Sequence, residues 1–111
     1  MLQERLLIKH AVGGRTFIDT SIEPADYRLE QSEHGWKLVL HRNYDEIMAE
    51  ICKWKDELNL FLFLREEGEP EKKIWFYVEQ GAVSYDSEQQ RLTIVGTSRI
   101  EYVPERFGEM G

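Results

Sequence analysis

Two uninterrupted apolar runs constrain this chain most: Leu60–Leu64 (LFLFL) and Ile74–Val78 (IWFYV), separated by the charged, breaker-containing segment Arg65–Lys73 (REEGEPEKK). A strand with one buried face alternates apolar and polar residues, whereas a strand covered on both faces reads as a continuous apolar run. The two runs therefore predict the central hairpin of a sheet covered on both sides. The sequence offers one helix, and one helix covers one face. The other face calls for a second layer of sheet, a second copy of the chain, a partner or a ligand.

Pairing Leu62 with Phe76 separates the two faces of this hairpin by chemistry. Leu60, Leu62, Leu64, Ile74, Phe76 and Val78 fall on one face, and Phe61, Phe63, Trp75 and Tyr77 on the other. A slip of one residue mixes the two sets, so the separated pairing is favoured.

The remaining elements follow from turn signals and periodicity. Gly13-Gly14 supplies the positive-φ positions of a type I′ turn joining Leu6–Val12 to Arg15–Thr20, which sets His10 opposite Phe17 and diagonal to Asp19. Pro24 interrupts the chain at Ile22–Asp26. Tyr27–Ser32 and Trp36–His41 form a second hairpin about His34-Gly35. It has Tyr27, Leu29, Gln31, Trp36, Leu38 and Leu40 on one face. Arg28, Glu30, Lys37, Val39 and His41 take the other face, a sheet with one wet side, and His41 lies opposite Arg28.

Asn43 is placed to cap a helix whose first turn holds Asp45 and Glu46. Tyr44, Ile47, Met48, Ile51, Cys52 and Leu58 then make an apolar stripe, with Trp54 on its flank. Lys55 interrupts that stripe, so either its stem snorkels out or the helix stops near Trp54. Ala82–Asp86, Arg91–Val95 and Arg99–Val103 alternate as strands burying one face, through Val83/Tyr85, Leu92/Ile94 and Ile100/Tyr102.

Short turns permit only antiparallel pairing. The expected fold is α+β: a curved antiparallel sheet, or a partly closed barrel, of about seven or eight strands packed on one central helix over about residues 44–57. Residues 1–103 are expected to form a single domain and 104–111 a frayed C-terminal tail.

Charge narrows the function. With 21 acids against 14 bases the net charge is −7, and the densest basic cluster is Lys72-Lys73. That balance disfavours direct binding of nucleic acid. The single cysteine, Cys52, allows neither an internal disulfide nor a thiolate metal cluster. Glu4 and Arg5 interrupt the first apolar stretch, which reads as neither a signal peptide nor a membrane span and places the chain in a reducing cytoplasm.

No catalytic or cofactor motif is present: no G-x-S-x-G, P-loop, G-x-G-x-x-G, H-E-x-x-H or C-x-x-C. No catalytic residue, cofactor or metal site is therefore assigned. A His10–Asp19 pair would suit a general base, but a cross-strand polar pair on a wet surface is the favoured reading. A metal site would need His10, His34 and His41 to converge from separate segments. The Glu66–Glu71 loop (EEGEPE) lacks the calcium-loop spacing and is stiffened by Pro70, so it reads as a solvated loop or an acidic docking tip. Cys52 reads as a buried, inert thiol.

What remains is the aromatic set Phe61, Phe63, Trp75 and Tyr77, with Trp54, as core, interface or pocket wall. The leading expectation is a small acidic cytosolic protein–protein interaction module without catalysis, a homodimer or an accessory or inhibitor subunit, using these residues as its interface. Its partner would be a protein or itself, not nucleic acid or membrane. The alternative is a ligand-binding or enzymatic half-barrel with an apolar pocket between sheet and helix, rimmed by His10, Asp19 and Tyr102. A weaker third reading has the acidic helix face and the Glu66–Glu71 loop mimicking nucleic acid.

Overall fold

Alternation along each strand decides which side turns inward, and here it builds two layers. The computed structural model describes residues 3–78 and 82–103. In chain order they form β1 (Gln3–His10), β2 (Thr16–Asp19), β3 (Asp26–Ser32), β4 (Gly35–His41), α1 (Glu46–Lys53), β5 (Leu58–Arg65), β6 (Lys72–Tyr77), β7 (Val83–Asp86), β8 (Arg91–Gly96) and β9 (Arg99–Tyr102). A five-stranded antiparallel sheet runs β2-β1-β5-β6-β9, and a four-stranded one runs β3-β4-β8-β7. Residues 104–111, expected as a frayed tail, lie outside the described residues.

The class is α+β and sheet-dominated, but the finer expectation needs correction. Among the described residues nine strands form two sheets rather than one curved sheet of seven or eight, and these do not close into a barrel. The cause is the wet-sided hairpin: β4 and β8 turn Trp36, Leu38, Leu40, Leu92 and Ile94 to one side. These residues share one core cluster with Leu6, Ile8, Leu60, Leu62, Ile74 and Phe76 of the five-stranded sheet. Two apolar faces of this kind bury each other, as in a sandwich. Trp36 and Phe76 meet edge-to-face across the layers, with ring centroids 5.1 Å apart.

The helix is peripheral, not central. It packs against β2 and β7, one edge strand from each sheet, and sends Met48 and Ile51 into the core. It is also shorter than the expected 44–57. Asp45, rather than Asn43, is the N-cap: its carboxylate accepts the Met48 amide at 2.9 Å while Arg42 Nε donates to its other oxygen at 2.9 Å. The helix stops before Lys55, where the Trp54 amide donates to the Glu50 carbonyl. Leu58 belongs to β5 and is buried there.

Both long hairpins keep the expected faces but shift register by two residues. Leu62 pairs with Ile74 and Leu60 with Phe76. In the other hairpin Leu29 pairs with Leu38, and His41 faces Asp26 rather than Arg28. The Gly13-Gly14 turn is not a two-residue I′ turn: only Gly14 takes a positive φ, and the His10 amide donates to the Arg15 carbonyl across a wider loop. A bulge between Ile8 and Lys9 then buries Phe17 and Ile18 together.

The chain crosses between layers beside Gly96. A Cβ on Gly96 would lie 2.6 Å from the Trp36 indole and 2.7 Å from the Tyr77 carbonyl, and one on Gly35 would lie 2.5 Å from the Gly96 carbonyl. Just beyond, the Ser98 carbonyl accepts both the Trp36 indole N–H and the Tyr77 amide, each at 3.1 Å. This carbonyl ties the two sheets together at one end.

Candidate functional site

The outward face of the five-stranded sheet is set by the strand register. One row across it reads Asp19, Leu7, Phe61, Trp75, Ile100. A second holds Arg5, Phe63, Lys73 and the position of Tyr102. A third holds Lys9, Asn59 and Tyr77. Residues two apart on one strand share a face, which is how the continuous runs of β5 and β6 deliver Phe61, Phe63, Trp75 and Tyr77 to one surface.

Their rings interlock. Phe61 stacks on Trp75 at 5.8 Å, and Trp75 lies 4.6 Å from Tyr77. The Trp75 indole N–H is pinned by the Asn59 side-chain oxygen at 3.1 Å. Lys73 Nζ sits 4.5 Å over Phe61 and 5.3 Å from the Phe63 centroid, and the Arg5 guanidinium lies 5.4 Å over Phe63. The four aromatics are half-buried, yet none belongs to the core cluster, and no described strand or helix packs over them. Leu7 beneath them is only 9% exposed. Ile100, expected to bury its side chain, is instead 46% exposed at the edge of this patch, because its partner Trp75 faces outward.

Of the five residues singled out from sequence, the structure gathers four and leaves Trp54 apart. Trp54 packs 4.8 Å from His10 at the end of α1, donates its indole N–H to Glu50 at 2.9 Å, and has Lys53 Nζ 5.0 Å over its ring. Sequence reasoning missed Arg5, Leu7, Lys73 and Ile100 as members of the face. The alternation Arg5, Leu7, Lys9 along β1 and the spacing of Lys73 from Trp75 carried the signal.

The His10–Asp19 pair does not form. Alternation along β1 keeps His10 on the inward side with Leu6 and Ile8, its Nε2 3.4 Å from a Glu57 carboxylate oxygen, while the bulge sets Asp19 beside Leu7 on the outward side. Asp19 accepts Arg5 Nε at 3.1 Å and a second guanidinium nitrogen at 2.8 Å, with the Ser21 hydroxyl at 2.6 Å. The Arg5 guanidinium and Ser21 hold its carboxyl far below the usual carboxylate range.

His34 lies in the β3–β4 turn and His41 on the wet face of β4, so the three histidines do not converge. Among the described residues no group of three or more His, Cys, Asp and Glu converges as a metal centre. Cys52 is half-buried against the core, and burial pushes its thiol up.

Two open depressions are lined by described residues, one around Gly35, Trp36 and Gly96 and one around Asp26, His41 and Arg42. Neither is lined by His10, Asp19 or the aromatic face. Among the described residues no helix is long and apolar enough to cross a membrane. Comparison with known protein families, with curated proteins and with solved structures gave no match.

Proposed function

We propose that this acidic protein is a small non-catalytic interaction module of the cytoplasm, and that the outward face of β5 and β6 is its contact surface for another protein or a second copy. One contrast carries the reading. The outward face of the four-stranded sheet mixes Val39 and Val95 with Arg28, Glu30, Lys37, His41, Thr93 and Ser84 and carries no Phe, Tyr or Trp ring among the described residues. The outward face of the five-stranded sheet bears a cluster of rings separate from the core. Contiguous exposed apolar patches on soluble proteins mark contact sites, and Trp and Tyr supply most hot spots at such contacts.

Native mass spectrometry of the protein purified gently from cells is the test. Wild type is expected to carry a protein partner or a second copy, and Trp75→Ala or Tyr77→Ala is expected to weaken that association by about 2 kcal/mol or more. Circular dichroism confirms that both variants stay folded. Association unchanged in both folded variants would place the contact surface elsewhere.

A further inference from the structure

Three of the four edge strands are short: β2, β7 and β9 have four residues each, and α1 packs beside β2 and β7. The fourth edge, β3, pairs with β4 over all seven of its residues without a bulge and contains no proline. Among the described residues no strand lies beyond it. A long, regular edge is a template for another strand unless a charge points inward from it. The inward positions of β3 hold Tyr27, Leu29 and Gln31, all uncharged.

The backbone direction of that edge follows from the neighbouring strands. The Arg42 amide donates to the Gln90 carbonyl on the β8 side of β4, and the Val95 amide to the Ala82 carbonyl on the β7 side of β8. Backbone groups alternate sides along an antiparallel strand. The odd-numbered residues of β4 therefore bond β3 at Asp26, Arg28, Glu30 and Ser32. The backbone groups of Tyr27, Leu29 and Gln31 point the other way, to the open edge.

We infer that a second copy adds at this edge, β3 pairing antiparallel with its own copy about a two-fold axis at Leu29, so that two four-stranded sheets run on as one. The ladder then spans the whole of β3, and Arg28 of each chain stands opposite Glu30 of the other. These are non-hydrogen-bonded positions, where facing side chains lie closest. Charge selects the register. A slip of two residues sets Arg28 against its own copy in one direction and Glu30 against its own copy in the other, and like charges directly opposite are destabilising. A slip of one residue mixes inward with outward side chains.

Both charges already have neighbours in the single chain. Arg28 Nη1 lies 3.9 Å from Glu30 Oε1, and Glu30 stands opposite Lys37. The first contact joins side chains 77% and 59% exposed and contributes little, so the dimer exchanges it for two crosswise contacts over a ladder of backbone bonds. The like-charge approach in this pairing is Asp26 toward the copy's Glu33 at each end, where both residues are exposed and screened by salt.

Sedimentation equilibrium of the full chain tests the pairing, with circular dichroism to confirm that each variant folds. Wild type is expected to show a monomer–dimer equilibrium. Arg28→Glu and Glu30→Arg reverse one charge in both crosswise contacts, and each alone should weaken the dimer by about tenfold. An equimolar mixture of the two variants should recover wild-type association, because each then meets the opposite charge. Leu29→Pro removes an N–H that points away from β4 and should also weaken the dimer.

The inference does not rest on the ring face of the five-stranded sheet, which edge pairing leaves to a partner, so Trp75→Ala is expected to keep this dimer. A wild type that stays monomeric, an unchanged dimer in both folded charge variants, or no recovery on mixing overturns the edge pairing. A dimer lost in Trp75→Ala but kept in both charge variants also overturns it, and assigns the second copy to the ring face instead.

Discussion

Asp19 shows how one residue's role is fixed by the partner its strand register gives it. A two-residue turn at Gly13-Gly14 would have set it diagonal to His10. The bulge at Ile8 and Lys9 instead puts it beside Leu7, within reach of Arg5 from the neighbouring row. The Asp19 carboxyl is held low in the folded chain, so its contribution is present above the unfolded carboxyl value of about 4 and is lost as pH falls toward the folded value. Arg5 is 44% exposed, so the pair is discounted to the upper range of surface ion pairs. Asp19→Asn is expected to cost about 1 kcal/mol at pH 7, a drop in Tm of about 4–8 °C. Thermal melts should show that gap narrowing below about pH 4. A gap that widens in acid would reverse the assignment.

At the scale of elements, the start of α1 makes the sharpest prediction. Asn43 and Asp45 are both good caps by residue type, and the sequence alone favoured the first. Asp45 wins because its two oxygens serve different partners, the Met48 amide and the Arg42 side chain. Those bonds outweigh the burial that opposes its charge and hold its carboxyl below the usual range. Asp45→Ala should cost about 1 kcal/mol in urea unfolding, and Asn43→Ala less than about 0.5 kcal/mol. Comparable losses at both positions would contradict the cap.

The hairpins show what was legible in the sequence and what was not. Alternation fixes which face a side chain takes, and every face assignment in β3 to β6 follows from it. A slip of two residues keeps every face, so the pattern is blind to it. In the β3–β4 hairpin the choice falls to a distant contact: Gly35 is drawn into the ladder opposite Ser32, where its backbone closes on the Gly96 carbonyl. No local pattern near Gly35 announces Gly96.

For the whole molecule, the apolar runs of β5 and β6 demanded cover on two sides, and the described strands supply it on one. The four-stranded sheet takes the face with Leu60, Leu62, Ile74 and Phe76. The ring face of the candidate site was thus readable as a set of residues, but its separation from the core was not. That separation depends on which strands leave to build the second layer, and the turn signals are the same either way. It also makes the two faces unequal in energy. Phe76 is fully buried against Trp36, so Phe76→Ala should cost about 3–5 kcal/mol. That is a large share of the 5–15 kcal/mol typical of a domain. Phe61, on the neighbouring strand but facing outward, is half-buried and rests on Trp75 and Leu7 alone among the apolar residues of its row. Phe61→Ala should cost about 1 kcal/mol of stability while weakening association. Denaturant unfolding of the two variants separates the faces. Equal losses would make the rings part of the folding core, and the surface offered here as a binding site would then be spent on holding the sheet together.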